Sequence, residues 1–182
     1  QNQAFRVLAC CISLLIRGGD LSQAAGLVED LNAGELGVDE LAWCCEALGN
    51  TGEVSAQDPL RTLSQDDSRV VSQAALIGLA RLGDSTATST LRATLGGDEL
   101  SNSAPLIRMM NRWTENSQIS SLLADALPLM EGPVALDTAI SLVESGSGGA
   151  RERLREFLSE GVPAGELGAR AVRALASDMS EE

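Results

Sequence analysis

The chain has 182 residues, 44% of them hydrophobic but only 2% aromatic, and 26 Asp and Glu stand against 13 Arg with no Lys or His, for a net charge of −13. So acidic a surface repels a phosphate backbone, which makes nucleic acid an unexpected partner. Without Lys or His there is no Schiff-base amine, phosphate-loop lysine or imidazole base, so no enzyme activity is expected and no cofactor is implied.

Gln1 is not preceded by Met, and the sequence is expected to be a segment or processed form of a longer product. The apolar run from Val7 to Ile16 is too short to cross a bilayer. Its Leu8-Ala9-Cys10 resembles the end of a lipoprotein signal, but such a signal places its apolar stretch before the Cys, whereas here the stretch follows it, so no membrane partner is expected. Helices are predicted over 4–17 and 21–32, then over 38–50 and 54–64, with Pro59 delaying the last to Asp58. Asp67 is placed to cap a helix running through Val70, Ala74, Leu79 and Leu82. Gly83 then ends it in the left-handed conformation. Asp84 or Ser85 caps the next helix, which sets Leu91 and Leu95 one turn apart. A fourth pair opens near Pro105, with Trp113 and Thr114 where Leu82 and Gly83 stood. A fifth opens at Pro133 and turns through residues 145–149, and Pro163 starts a final helix reaching Leu175.

Three columns recur along these pairs. The anchors are Leu15, Leu48, Leu79, Met110 and Leu142; the turns are Gly19, Gly52, Gly83, Thr114 and Gly146; a Leu column runs through Leu27, Leu60, Leu91, Leu122 and Leu154. All three step by 33, 31, 31 and 32 residues. Such a period marks a solenoid, in which a repeat buries its apolar face only against its neighbours.

Cys10, Cys11, Cys44 and Cys45 read as small buried hydrophobes, since neither the spacing nor a His partner suits a metal. A reducing, cytoplasmic setting fits them. The acids after each turn, Asp20, Glu53, Asp84 and Glu115, read as helix caps. Arg151, Arg153 and Arg155, interleaved with Glu152 and Glu156, read as a solvated helix face. Trp43 and Trp113 read as core, with an interaction anchor as the alternative for a partly exposed Trp113 beside the irregular turn. The missing Lys reads as the mark of a GC-rich genome, with selection against lysine modification and a high-salt cytoplasm as the alternatives.

The stretch from Asp67 to Leu95, through Arg69-Val70, Ala74-Ala75, Leu79-Ala80, Leu82-Gly83-Asp84 and Leu91, resembles the HEAT-like repeat named after the phycobilisome lyases. Thr114 for the turn Gly, Ser147 for the following acid, and Pro59 depart from it. The resemblance implies an all-α, right-handed α-α superhelix of about five HEAT-like hairpins plus a C-terminal helix. It would form one domain over 1–182, with repeats at 4–33, 36–65, 66–97, 101–130 and 132–160 and a capping helix over 163–177. Most such proteins are adaptors or scaffolds. A minority attach or remove bilins, so a bilin lyase or isomerase subunit is the alternative to a non-enzymatic module that binds a protein or peptide on its concave face. If the second helices line that face, the position after each Leu of the column faces the partner: Val28, Arg61, Arg92, Leu123 and Arg155. Arg61 and Arg92 are expected to grip an acidic or phosphate-bearing segment, with Arg155 and Trp113 as further contacts.

Overall fold

The computed structural model describes residues 37–52, 54–97, 100–161 and 163–176. The first hairpin, with Cys10, Cys11, Leu15, Gly19, Asp20, Leu27 and Val28, lies outside the described residues, as do Glu53 and the acidic tail. The described residues are all-α and contain no strand. The helices are α1 (Val38–Gly49), α2 (Gln57–Leu63), α3 (Arg69–Arg81), α4 (Ser85–Gly96), α5 (Ala104–Met110), α6 (Ser117–Ala126), α7 (Gly132–Glu144), α8 (Ala150–Glu160) and α9 (Glu166–Ala176). Short 3-10 turns occupy Val54–Ala56, Leu100–Ser103, Asn111–Trp113 and Leu127–Leu129. The chain divides into two compact units between Leu91 and Arg92.

In the first unit α1 packs along α3, and α2 packs on α3. The anchors Leu48 and Leu79 and the column residues Leu60 and Leu91 are at most 2% exposed. Helices α1 and α3 meet backbone to backbone: a Cβ on Gly49 would lie 2.5 Å from the Gly78 Cα, and one on Gly78 would lie 2.9 Å from the Cys45 carbonyl oxygen. Arg81 links the ends of the same two helices, donating to the Glu46 carbonyl at 3.2 Å and to the Asn50 side chain at 2.7 Å. Burial lowers its pKa to about 10, with Glu46 opposing that shift. Cys44 and Cys45 are buried, and burial, followed by the neighbouring Cys44, pushes the Cys45 thiol well above its ordinary range.

In the second unit α7 packs against α5, α6, α8 and α9. Met110, Leu122, Leu142 and Leu154 are buried, so both apolar columns hold throughout the described residues.

The four-residue gap between anchor and turn has a local cause. Gly83 and Gly146 adopt φ of 82° and 86°. The Asp84 N–H reaches back to the Leu79 carbonyl at 3.0 Å and the Ser147 N–H to that of Leu142 at 2.8 Å. Each anchor thus supplies the carbonyl that closes a Schellman motif around its glycine. Thr114 cannot enter that conformation without strain, and its φ is −64°. The chain instead tightens into the 3-10 turn Asn111–Trp113, and Asn116 caps α6 by accepting from the N–H groups of Gln118 and Ile119.

Three sequence expectations need correction. Ser68, not Asp67, stands at the α3 N-cap, and Asp66 accepts the Ser68 N–H at 2.8 Å. Glu115 is exposed and the cap after Thr114 is Asn116, whereas Asp84 does cap α4, accepting the Ala87 N–H at 3.0 Å. Pro163 precedes the last helix, which begins at Glu166 after Gly165 turns with φ of 85°.

Candidate functional site

Helices α2 and α4 flank an open groove of about 480 Å³ in the first unit, lined by Arg61, Ser64, Leu76, Leu79, Asp84 and Thr90 among others. Its floor is apolar because α3 turns Leu79 inward and leaves Leu76 half-buried. Its walls are polar because α4 opens with a Ser/Thr-rich turn. Thr86 and Thr90 lie one helical turn apart, and the Thr90 hydroxyl donates to the Thr86 carbonyl at 3.0 Å.

Arg61 closes one end. Its guanidinium donates to Asp58 at 2.9 Å, to the Gln57 side chain at 2.8 Å and to Asp84 at 3.0 Å. The hydrogen bond to Asp84 is the main cause raising the Arg61 pKa. Asp84 is held below the usual carboxylate range first by the Ala87 N–H and then by Arg61. Gln57 also donates to the Leu82 carbonyl at 3.3 Å, so α2 is tied to the end of α3 and, through Asp84, to the start of α4.

The other residues singled out by sequence fall elsewhere. Arg92 is the first residue of the second unit and lies 3.4 Å from Asp125 in an exposed ion pair. Arg155 is exposed on α8, but the equivalent Leu123 is buried, because α6 packs a broad face of Ile119, Leu122, Leu123 and Ala126. The column after the recurring Leu is therefore not a uniform surface row. Trp113 is half-buried in its 3-10 turn, and Trp43 is half-buried, not fully core. Arg153 stacks on Phe157 at 4.5 Å and pairs with Glu156 at 2.8 Å, but Arg151 and Arg153 are half-buried and only Arg155 of the three is exposed, so the segment is not a fully solvated face.

Sequence reasoning missed two features. One is the groove's hydroxyl wall, although the four-residue spacing of Thr86 and Thr90 signals it. The other is Arg170 on α9, which reaches Asp137 at 3.0 Å and Glu144 at 2.8 Å on α7. Asn111 extends that chain by donating to Asp137 at 3.2 Å. No local pattern marks these partners. Among the described residues no group of three or more His, Cys, Asp or Glu side chains could hold a metal ion, and no helix is long and apolar enough to cross a membrane.

Paired helices closed by Gly83, with apolar anchors stepping about one hairpin at a time, are the features a repeat-family model scores. Residues 39–110 match the HEAT repeats family. The match runs from α1 through α5 and ends at Met110, just before the turn in which Thr114 replaces glycine. HEAT-like repeats are thus supported over this stretch. The chain matches no curated protein.

Proposed function

We propose that the protein is a non-enzymatic interaction module that holds a protein or peptide segment, with the α2–α4 groove as a principal contact. The observation that carries this reading is the groove itself, an apolar floor with hydrogen-bonding walls, lying within the stretch that matches HEAT repeats. A floor of this kind accepts one apolar side chain, while walls of hydroxyls and amides match a peptide backbone. Arg61 serves there as a donor, and within the second unit, taken by itself, Arg92, Arg155 and Trp113 are proposed as contacts. The spacing of the three sequence columns supports a solenoid of five hairpins and a final helix in one domain, and the resemblance to HEAT-like repeats implies its right-handed sense. The buried thiols of Cys44 and Cys45 suit a reducing cytoplasm.

Cross-linking of the whole chain in an extract of its source, followed by purification and mass spectrometry, tests the reading. Saturable recovery of a protein partner, cross-linked through residues 57–92, is expected. Recovery of none would refute it, as would a visible absorbance change with covalent pigment transfer on incubation with bilins and an acceptor protein.

A further inference from the structure

Helix α9 is held within the second unit by little apolar surface. It packs on α7 and α8, but its buried residues are Gly168, Ala171 and Ala174, none larger than alanine. Leu167 and Leu175 stay half-buried and Val172 is exposed. By contrast, α3 buries Val71, Ile77 and Leu79 along with four small residues. Hydrophobic stabilisation follows the apolar area removed from water, so small residues alone hold α9 weakly. The rest of the hold is polar and concentrated on one side chain. Arg170 donates two bonds to Glu144, at 2.8 and 3.4 Å, and one to Asp137 at 3.0 Å. Asp137 also accepts from Asn111, just after α5. A forked guanidinium–carboxylate contact is charge-assisted and directional. Asp137 and Glu144 stand two turns apart on one face of α7, and together they form a seat for a guanidinium. The clasp is open to solvent: Glu144 and Arg170 line a polar cleft of about 210 Å³ together with Arg112, Glu115 and Ser141. Ahead of α9 the chain turns at Gly161 and Gly165, with φ of 139° and 85°, so the helix hangs from a pair of glycine turns.

We propose that α9 is a releasable strap: the Arg170 clasp closes it, it opens as a unit while α7 stays folded, and the seat it leaves accepts a partner helix with the same spacing, small-x-Arg-small-x-x-small. The occupant is fixed by what the seat already holds. Two carboxylates call for a guanidinium that forks onto one and reaches the other, which the point charge of a Lys does not do. Gly168, Ala171 and Ala174 mark the positions at which a larger side chain would hold the two helices apart. The inference concerns the second unit alone and goes beyond the groove reading, on which it does not depend.

Hydrogen–deuterium exchange of the full chain tests the opening, and a fluorescein-labelled peptide of residues 163–176 tests the seat. Amides of Glu166–Ala176 should exchange at least about tenfold faster than those of Gly132–Glu144, as expected of a unit that opens on its own. Arg170→Glu should speed exchange in α9 by a further fivefold or more, roughly, with α7 unchanged. Adding Glu144→Arg to that variant should return protection toward the wild-type value, which a simple loss of packing would not allow. In fluorescence anisotropy the peptide should bind the Arg170→Glu protein at least about tenfold more tightly than the wild type, whose own strap occupies the seat. The same peptide carrying Arg170→Glu should not bind. Arg170→Ala, which frees the seat without placing a third carboxylate beside it, serves both measurements if Arg170→Glu does not fold. One common exchange rate for α7 and α9, no recovery in the charge-reversed pair, or no binding of the peptide to the protein with its clasp removed overturns the inference.

Discussion

Replacing Gly49 by Ala should destabilise the protein although alanine is the better helix former. The added methyl carbon would lie 2.5 Å from the Gly78 Cα, and its next neighbours, the Gly78 carbonyl oxygen and carbon, are 3.1 and 3.2 Å away. Carbon atoms pack comfortably at roughly 3.5–4.0 Å, so α1 and α3 must separate by about 1 Å or more, since a backbone atom cannot rotate away as a side-chain tip can. Overpacking of this kind costs about 1–3 kcal/mol. Against it stands about 1 kcal/mol from exchanging Gly for Ala in a helix, leaving a net loss of up to about 2 kcal/mol. At roughly 2–4 °C per kcal/mol for a chain of this size, the melting temperature should fall by several degrees. Gly96→Ala is the control, because nothing lies within 4 Å of its added carbon, and it should be neutral or slightly stabilising. Thermal unfolding followed by circular dichroism decides between them. A Gly49→Ala protein as stable as the wild type would falsify the backbone contact between α1 and α3.

Leu91→Ala removes a side chain 1% exposed and should cost about 2–5 kcal/mol in urea unfolding; a loss under about 1 kcal/mol contradicts its place in the core. Asp84→Asn keeps a capping oxygen and loses the charge that pairs with Arg61. Because the folded-state pKa of Asp84 is depressed, its charge contributes stability above the ordinary Asp value of about 4, and that contribution disappears as pH falls through the lower folded value. The stability gap between wild type and Asp84→Asn should therefore be present at pH 7 and close in acid; a gap that widens below pH ~4 contradicts the sign. Arg170→Ala should speed amide exchange across Glu166–Ala176 while leaving α3 unchanged, as hydrogen–deuterium exchange with mass spectrometry can show; equal exchange in α9 would mean the links to Asp137 and Glu144 do not hold it. Peptide-mapped alkylation should label Cys44 and Cys45 only on unfolding, and rapid labelling of Cys45 in native protein would contradict its buried, protonated state.

The parts of the fold legible in sequence are those whose causes are local. An anchor and its glycine are four residues apart because one backbone motif joins them, and the Leu of the following helix is buried wherever the structure describes it. Helix ends were less legible where residues of similar chemistry adjoin: Asp66, Asp67 and Ser68 all suit an α3 cap, and only the chain's path selects among them. The irregular turn could be located from Thr114, but its solution, a 3-10 turn and a cap moved to Asn116, depends on what a β-branched residue refuses to do. The site was legible only in part. Arg61 does line a groove, yet its charge depends on Asp84, 23 residues later. Leu123 breaks the column because the width of a buried helix face is set by its neighbours, and the Arg170 links join residues 26 and 33 apart.

The hook made by Arg81 also bears on synthesis at the ribosome. The carbonyl of Glu46, near the end of α1, is satisfied by a side chain that emerges 35 residues later. At about 5–20 residues per second, α1 waits roughly 2–7 s for that cation. During the wait Cys44, Cys45 and Leu48 lack the α3 surface that covers them in the finished fold. The nascent chain is then most exposed to thiol oxidation and to chaperone capture, and slower decoding between Asn50 and Arg81 would prolong that interval.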